Sequence, residues 1–166
     1  MSKSISRAQF LRGDFSGKHG HIRPPWSKGE RSFTGDCSRC DDCIKACPEQ
    51  ILSHDQQGFP LINFMKGECT FCGDCARACN TSALQFNETV KPWTLRADIN
   101  KQCLPLQGVV CGRCAEECEV SAIRMKLVAG GISIPQFESE ACNGCGACFR
   151  VCPTTAIELS YNGVST

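Results

Sequence analysis

The chain has 166 residues, 16 of them cysteine, and its 18 Lys and Arg against 17 Asp and Glu give a formal charge of +1. This length accommodates one large domain or two small ones. Aromatic residues make up only 7% of the chain, so we expect no large apolar core, and no stretch approaches the roughly 18 consecutive apolar residues of a membrane-spanning helix.

Residues 1–36 are predicted to form an irregular, basic N-terminal arm, with seven Lys and Arg against three Asp and Glu. The arm has neither the apolar h-region nor the small-residue cleavage site of a secretory leader. The run Ser6 to Arg12 has Ala8 where a twin-arginine export motif has its second arginine. These features argue against secretion.

All sixteen cysteines fall into four groups that follow the arm. The groups are Cys37, Cys40, Cys43, Cys47; Cys69, Cys72, Cys75, Cys79; Cys103, Cys111, Cys114, Cys118; and Cys142, Cys145, Cys148, Cys152. Three have the spacing C-x2-C-x2-C-x3-C, and the third has seven residues, Leu104 to Val110, in its first spacer. This internal repeat predicts two similar modules, residues 37–84 and 103–166.

Short strands are expected between the groups. Ile51-Leu52 and residues 59–64 favour a hairpin with a turn over 54–58. Residues 123–128 and 132–134 favour a second hairpin, in which Gly130-Gly131 supplies the positive φ of the turn. Residues 85–102 are predicted to be a linker or a packing strand. The expected fold class is thus α+β, with two ferredoxin-like modules built around metal clusters.

The cysteine spacing is typical of [4Fe–4S] clusters. One tight C-x2-C-x2-C loop can supply three thiolates, and in two-cluster ferredoxins the last cysteine of each run binds the other cluster. We therefore expect all sixteen cysteines to be iron ligands of up to four clusters. Zinc and disulfides are weaker alternatives, because zinc knuckles do not require the third cysteine and a disulfide scaffold normally belongs to an exported protein.

The sequence leaves two arrangements of the ligands open. Pairing of neighbouring groups gives the sets Cys37, Cys40, Cys43 with Cys79; Cys69, Cys72, Cys75 with Cys47; Cys103, Cys111, Cys114 with Cys152; and Cys142, Cys145, Cys148 with Cys118. The nested alternative pairs the first group with the fourth and the second with the third. The long spacer also leaves open whether Cys103 completes its cluster.

Four glycines, Gly73, Gly112, Gly144 and Gly146, lie inside the cysteine loops. We expect them there because a missing side chain lets the backbone approach a sulfide closely. An oxidised cubane with four thiolates carries a charge of −2, so four clusters turn the formal charge of +1 into about −7. The body of the protein is then acidic, in contrast to the arm.

No enzyme chemistry is visible in the chain. There is no G-x-G-x-x-G loop and no Walker-type loop, and His19, His21 and His54 lie in the arm or in a predicted turn. These features favour an electron carrier or a cluster-bearing partner of another enzyme, and they favour neither nucleic-acid binding nor membrane integration.

Several segments together resemble one protein family. They are Ile22 to Trp26, Phe33 to Cys40, Gly67 to Gly73, and the third group from Cys103 to Glu119 with Gly108 to Cys111. They closely resemble the NapF family of ferredoxin-type accessory proteins of periplasmic nitrate reductase systems. Asn80 and Glu119, where ferredoxins often have proline, and Asp41-Asp42 depart from the usual pattern.

The resemblance implies a cytoplasmic iron–sulfur protein that is not itself an enzyme. Such a protein would bind the molybdenum-containing catalytic subunit before its twin-arginine export and assist its maturation. The alternative function is that of a soluble polyferredoxin that only transfers electrons. We expect Arg23 and an exposed Trp26 to contact the partner, and the alternative is that Trp26 is buried and attaches the arm to the first module.

Overall fold

The computed structural model describes residues 21–161, which form small helices and short strands. In chain order these are α1 (Gly29–Asp36), α2 (Asp42–Lys45), β1 (Leu52–His54), β2 (Pro60–Ile62), α3 (Asp74–Arg77), β3 (Leu95–Ile99), the 3-10 helix η1 (Leu104–Gln107), α4 (Arg113–Glu116), β4 (Ile123–Leu127), β5 (Ser133–Phe137), α5 (Ala147–Arg150) and β6 (Ile157–Tyr161). The expected mixture of small helices and strands is confirmed. Within these residues, no helix has the length and apolar character needed to cross a bilayer.

Both predicted hairpins are present as two-stranded antiparallel sheets. Strand β1 pairs with β2 so that Leu52 lies opposite Ile62, and β4 pairs with β5 so that Leu127 lies opposite Ser133. The turn of the second hairpin uses Gly130 at φ 94° and Gly131 at φ 79°, as expected. The alternation of side chains in a strand puts Leu127 on the same sheet face as Met125 and the buried Ile123.

The predicted linker 85–102 contains strand β3, so the alternative of a packing strand is the correct one for residues 95–99. Strand β3 pairs antiparallel with β6, and Ile99 lies opposite Ile157, five residues after Cys152. The N-terminal half has a shorter counterpart, a single bridge between Ser27 and Leu84, five residues after Cys79. In both halves, a segment that precedes the cysteines thus pairs with the segment that follows the last cysteine.

The expectation of an irregular arm is wrong for residues 29–36, which form helix α1. The helix is held by Phe33, which is completely buried and lies under the guanidinium of Arg23. Further attachments are the Ile62 amide, which donates to the Ile22 carbonyl, and the Arg23–Glu30 ion pair. Residues 1–20, with the Ser6 to Arg12 run, lie outside the described residues.

One buried cluster of side chains continues through both halves of the chain. Where the halves meet, the ring of Phe64 packs on Trp93 and Phe149, and Trp93 also meets Phe71 edge to face. The Trp93 indole donates a 2.9 Å hydrogen bond to the Asn143 carbonyl. A few large rings can fill this space because each buries about 150–250 Å².

Candidate metal centres

The structure brings the sixteen cysteines together in four sets. Each set consists of three cysteines from one group and the last cysteine of its neighbour. The sets are A (Cys37, Cys40, Cys43, Cys79), B (Cys47, Cys69, Cys72, Cys75), C (Cys103, Cys111, Cys114, Cys152) and D (Cys118, Cys142, Cys145, Cys148). Neighbouring groups therefore meet, and the nested arrangement is absent from this structure, in which all sixteen cysteines are described.

Sets A, B and D each line a cavity of similar size. Each of the three cavities has a volume of about 20 Å³. In all three, most other lining comes from backbone and apolar side chains, such as Phe33 and Leu84 at set A. Three cavities of matched size, each lined by four thiols, indicate that the three sets bind the same kind of group.

The spacing of the thiols also bears on the choice of metal. All sixteen are free of disulfide bonds. Among residues 21–161, no three His, Cys, Asp or Glu side chains lie close enough to share one metal ion. Four thiolates around one Zn²⁺ would lie about 3.8 Å apart, given Zn–S bonds of about 2.3 Å. The thiolates of a cubane lie farther apart, because each binds a different iron.

Three of the four cysteine loops share an unusual backbone conformation. In each, the residues two and four places after the first cysteine have positive φ. These residues are Arg39 and Asp41, Phe71 and Gly73, and Gly144 and Gly146, with φ between 56° and 87°. Alternation between right- and left-handed residues turns successive amide N–H groups to one side, which creates a concave site for an anionic group such as an iron–sulfur cluster.

The third loop differs from the other three. Gly112, which corresponds to Asp41, Gly73 and Gly146, has φ −141°. The seven-residue spacer instead forms η1, which ends at Gly108 in the left-handed region with φ 83°. Cys103 is nevertheless buried and lies near Cys111 and Cys152, whose charges raise its pKa after the larger effect of burial. The long spacer thus brings Cys103 back to its set by a different backbone path.

Burial makes these thiols hard to ionise without a metal. Burial, and then the neighbouring thiols Cys37, Cys79 and Cys40, raise the pKa of Cys43 to about 12. The pKa of Cys148 is likewise raised to about 12, first by burial and then by like-charged thiols. Iron compensates such clustered negative charge, so the thiolate form and the bound metal depend on each other.

The sets follow one another in the order A, B, D, C. Cys43 of set A acts electrostatically on Cys75 of set B, and Cys114 of set C acts in the same way on Cys148 of set D. The two halves meet at sets B and D, where the Cys69 amide donates a 2.8 Å hydrogen bond to the Cys145 carbonyl.

Three of the four loop glycines are required by packing against protein atoms, whereas a Cβ at Gly112 would make only ordinary contacts. A Cβ at Gly146 would lie 2.0 Å from Cδ1 of Phe64, and one at Gly144 would lie 2.5 Å from the Leu95 carbonyl oxygen. A Cβ at Gly73 would lie 2.3 Å from Cε2 of Phe86. These contacts could not be predicted from the sequence, because each glycine meets a residue outside its own cysteine loop.

The expectation that Arg23 and Trp26 form an exposed partner site is wrong. Trp26 is only 9% exposed and donates its indole N–H to the Asn87 carbonyl at 3.1 Å. Arg23 is buried as well, and its Nη2 lies 2.9 Å from the carboxylate of Asp55. Both side chains attach the arm to the N-terminal half, which was the alternative that the sequence left open.

Several polar contacts near the cysteines were not foreseen. Asn80 donates its side-chain amide to Asp42 at 3.1 Å, so two departures from the usual ferredoxin pattern bind each other. His54 Nε2 lies 2.7 Å from the carboxylate of Asp41, which has the left-handed conformation that glycine adopts in the second and fourth loops. In the sequence, His54 is only a histidine in a predicted turn and Asp41 only an aspartate beside a cysteine. Neither feature predicts that the two side chains meet.

Comparison with known proteins identifies the kind of domain that contains the cysteines. The family of 4Fe-4S dicluster domains matches residues 36–90 and 109–156. The second match begins after Cys103, the cysteine that precedes the long spacer. A domain with two clusters matched twice gives up to four [4Fe–4S] clusters as the cofactors of this protein.

Relatives that match nearly the whole chain include proteins of one name from two organisms. The ferredoxin-type protein NapF of Haemophilus influenzae is 40% identical over 168 residues, which cover 95% of each chain. The ferredoxin-type protein NapF of Escherichia coli K12 is 42% identical over 161 residues, which cover 97% of this chain and 98% of its own. The methylamine utilization ferredoxin-type protein MauM of Methylophilus methylotrophus is 32% identical over 148 residues, which cover 79% of this chain and 66% of its own. By these similarities over nearly its whole length, the chain belongs to the NapF family of ferredoxin-type iron–sulfur proteins.

Proposed function

We propose that each of the sets A to D holds one [4Fe–4S] cluster, with two clusters in each of two modules, residues 37–84 and 103–166. Ser27 of the arm and strand β3 of the segment 85–102 then pair with the end of each module. The matched pairings of Ser27 with Leu84 and of Ile99 with Ile157 support this division. The three equal-sized cavities support one cluster per set.

The residues around the sets hold and tune the thiolates. The Ala156 amide donates to Cys152 Sγ at 3.2 Å. Although burial raises the pKa of Cys152, the amides of Ala156 and Thr154 outweigh it, so the pKa is lowered. When bound, a [4Fe–4S] cluster supplies one-electron redox chemistry.

Iron and sulfide analysis tests the cluster assignment. Anaerobically purified protein is expected to hold about sixteen iron atoms, four for each set. Replacing Cys43 by serine should remove about four of them, whereas Ser38→Ala in the same loop should remove none. Zinc in place of iron, or an iron content unaffected by Cys43→Ser, would contradict the assignment.

The function that these sites support best is maturation of a partner in the cytoplasm. The protein binds the precursor of the periplasmic nitrate reductase catalytic subunit, which contains molybdenum, and assists its completion before export. The observation that carries this function is 40–42% identity to NapF proteins over 95–97% of the chain. It is not the nitrate-reducing enzyme itself.

Co-purification tests the maturation function. The full-length chain, tagged and produced together with the catalytic subunit that retains its export leader, is expected to capture that precursor from the cytoplasmic fraction. Loss of the chain should lower nitrate reductase activity. Failure to capture the precursor, together with unchanged activity in cells that lack the chain, would overturn this function.

A second function, electron transfer alone, is favoured by the contact between sets B and D. The hydrogen bond from Cys69 to Cys145 brings the loops of the two halves together, so the four sets follow one continuous order. A carrier needs only brief encounters with its partners. Reduced clusters that reoxidise rapidly with the catalytic subunit, without a complex that survives purification, would favour this function.

A further inference from the structure

The cysteine sets of the two halves are joined in different ways within a half and between the halves. Sets A and B are built from the same two cysteine groups, each of which supplies one cysteine to the other's set, and sets C and D are built likewise. The chain itself therefore fixes the distance between the two sets of one half. Sets B and D share no cysteine group, so their separation depends on non-covalent contacts between the halves.

Trp93 contacts the cysteine loops of both sets, residues 69–75 at set B and residues 142–148 at set D. Its ring meets Phe71 of the first loop edge to face, with the ring centroids 5.7 Å apart. Its indole N–H donates a 2.9 Å hydrogen bond to the carbonyl of Asn143 in the second loop. Phe71 lines the cavity at set B, and Asn143 lines the cavity at set D. One side chain thus spans the space between the two sites.

Further hydrogen bonds connect the two partners of Trp93 to each other. The side-chain oxygen of Asn143 accepts a 3.1 Å hydrogen bond from the Cys145 amide. The Cys145 carbonyl accepts a 2.8 Å hydrogen bond from the amide of Cys69, which lies two residues before Phe71. These contacts form a closed circuit that passes through both loops and begins and ends at Trp93.

The backbone around Trp93 is held by both halves. On one side, the Pro92 carbonyl accepts a 2.7 Å hydrogen bond from the Trp26 amide of the arm. On the other side, strand β3 begins at Leu95 and pairs with β6 of the C-terminal half. Trp93 itself is only 8% exposed. The indole is therefore fixed between the two loops.

The indole N–H gives the junction an orientation that apolar packing does not supply. Phe64 packs on both Trp93 and Phe149 and fills the remaining space between the halves. Such apolar contact is non-directional. The hydrogen bond from Trp93 to Asn143 has a preferred angle and length, so it adds a defined geometry to the contact between the loops.

We propose that Trp93 is the positioning residue that fixes the distance between sets B and D, so that one electron can pass from one half of the chain to the other. This transfer oxidises the centre at one set and reduces the centre at the other, and it needs no proton or further reactant. Electron transfer between two centres slows steeply as their distance grows, so the placement of the loops decides its rate. The inference rests on the proposed cluster assignment and adds the residue that connects the two pairs of sites.

Electron paramagnetic resonance of the full-length, cluster-loaded protein tests the proposal. Reduced [4Fe–4S] clusters are paramagnetic, and clusters that lie close together broaden or split each other's signals. In the fully reduced protein, Trp93→Leu is expected to lose the interaction between the halves and to keep both the interaction within each half and the iron content. After partial reduction and rapid freezing, electrons should redistribute among the sets more slowly than in the native protein. Trp93→Phe, which keeps a ring against Phe71, should recover part of the interaction.

Trp26→Leu provides the matched control. Trp26 is similarly buried, at 9% exposure, and it also meets a phenylalanine edge to face and donates its indole N–H to a backbone carbonyl. Its partners Phe86 and Asn87 lie outside both loops. Trp26→Leu should therefore lower the urea midpoint, as Trp93→Leu does, but leave the interaction between the halves unchanged. Should Trp93→Leu lose iron, the comparison of Trp93→Phe with Trp26→Phe decides, and the first is expected to show the weaker interaction.

The outcomes separate this inference from the cluster assignment on which it rests. If the native protein holds iron in all four sets but Trp93→Leu matches it in both spectrum and rate of redistribution, the inference is wrong and the assignment stands. Equal loss of the interaction in Trp26→Leu and Trp93→Leu would show a general destabilisation and would also overturn the inference. A native protein without iron, or without the signal of reduced clusters, contradicts the assignment itself.

Discussion

Replacing Arg23 by methionine should destabilise the N-terminal half by about 3 kcal/mol. The Arg23 Nη2 lies 2.9 Å from Asp55, whose side chain is only 2% exposed. Removal of one partner from a buried ion pair costs about 3–5 kcal/mol, because the other charge stays buried without compensation. The lower end applies here because the Asp55 carboxylate keeps two backbone donors, the amides of Gln57 and Phe59.

The second ion pair of Arg23, with Glu30, adds little to the predicted loss of stability. Glu30 accepts two hydrogen bonds from Arg23, at 2.8 and 2.6 Å. However, its side chain is 54% exposed, and water can replace the guanidinium there at a cost below about 1 kcal/mol. Methionine retains most of the apolar contact with Phe33 and Phe59, over which the guanidinium lies. The buried charge of Asp55 therefore decides the result.

Urea unfolding of anaerobically purified protein measures the effect. With an m value of about 2 kcal/mol/M, 3 kcal/mol corresponds to a midpoint about 1.5 M lower. Cluster loss makes unfolding irreversible, so native and variant proteins are compared after identical incubation. Arg31→Met, an exposed arginine of the same helix, should leave the midpoint nearly unchanged. A midpoint for Arg23→Met within 0.3 M (about 0.6 kcal/mol) of the native one would refute the reasoning.

Three further predictions concern pH, the loops and the third set. Because Asp55 has a lowered pKa in the folded protein, the stability that the Arg23–Asp55 pair adds should be full at neutral pH. It should begin to fall below about pH 4, the ordinary pKa of an aspartate, and be lost as the pH falls through the lowered folded-state pKa. Gly146→Ala should cost about 1–3 kcal/mol more than Gly130→Ala in urea midpoints, since both have positive φ but only the first meets Phe64. Under mild oxygen exposure, set C should lose its iron before set A does. Iron analysis of the Cys103→Ser and Cys37→Ser variants identifies which set has lost its iron. Earlier loss from set A would contradict the role of the long spacer.

The strands and the grouping of the cysteines could be predicted because they depend on local pattern. Alternation and turn glycines located both hairpins, including the positive φ of Gly130 and Gly131. The rule that the last cysteine of a run joins the neighbouring group correctly describes all four sets. Spacing alone left the nested pairing open, because the gaps between groups are nearly equal in length.

The arm could not be predicted because its partners are distant in the sequence. A count of seven basic residues indicates a solvated surface, but Arg23 is buried against Asp55, which lies in the turn of the first hairpin. Trp26 likewise depends on Asn87 and Phe86. The positive φ of Arg39 and Phe71 could not be predicted from the sequence either, since neither is a residue type that favours the left-handed region.

The two halves of the chain repeat one plan, and their main difference lies at the third group. In each half, an early segment pairs with the residue five places after the last cysteine, at Leu84 and at Ile157. The seven-residue spacer breaks this repeat, yet Cys103 still reaches its set. The spacer also follows Cys103, a member of set C. In the order A, B, D, C, set C is at the opposite end from set A and away from the contact between the halves. The spacer is therefore where the two halves differ most, and a change in its length alters the backbone path to Cys103 without altering which cysteines form the set.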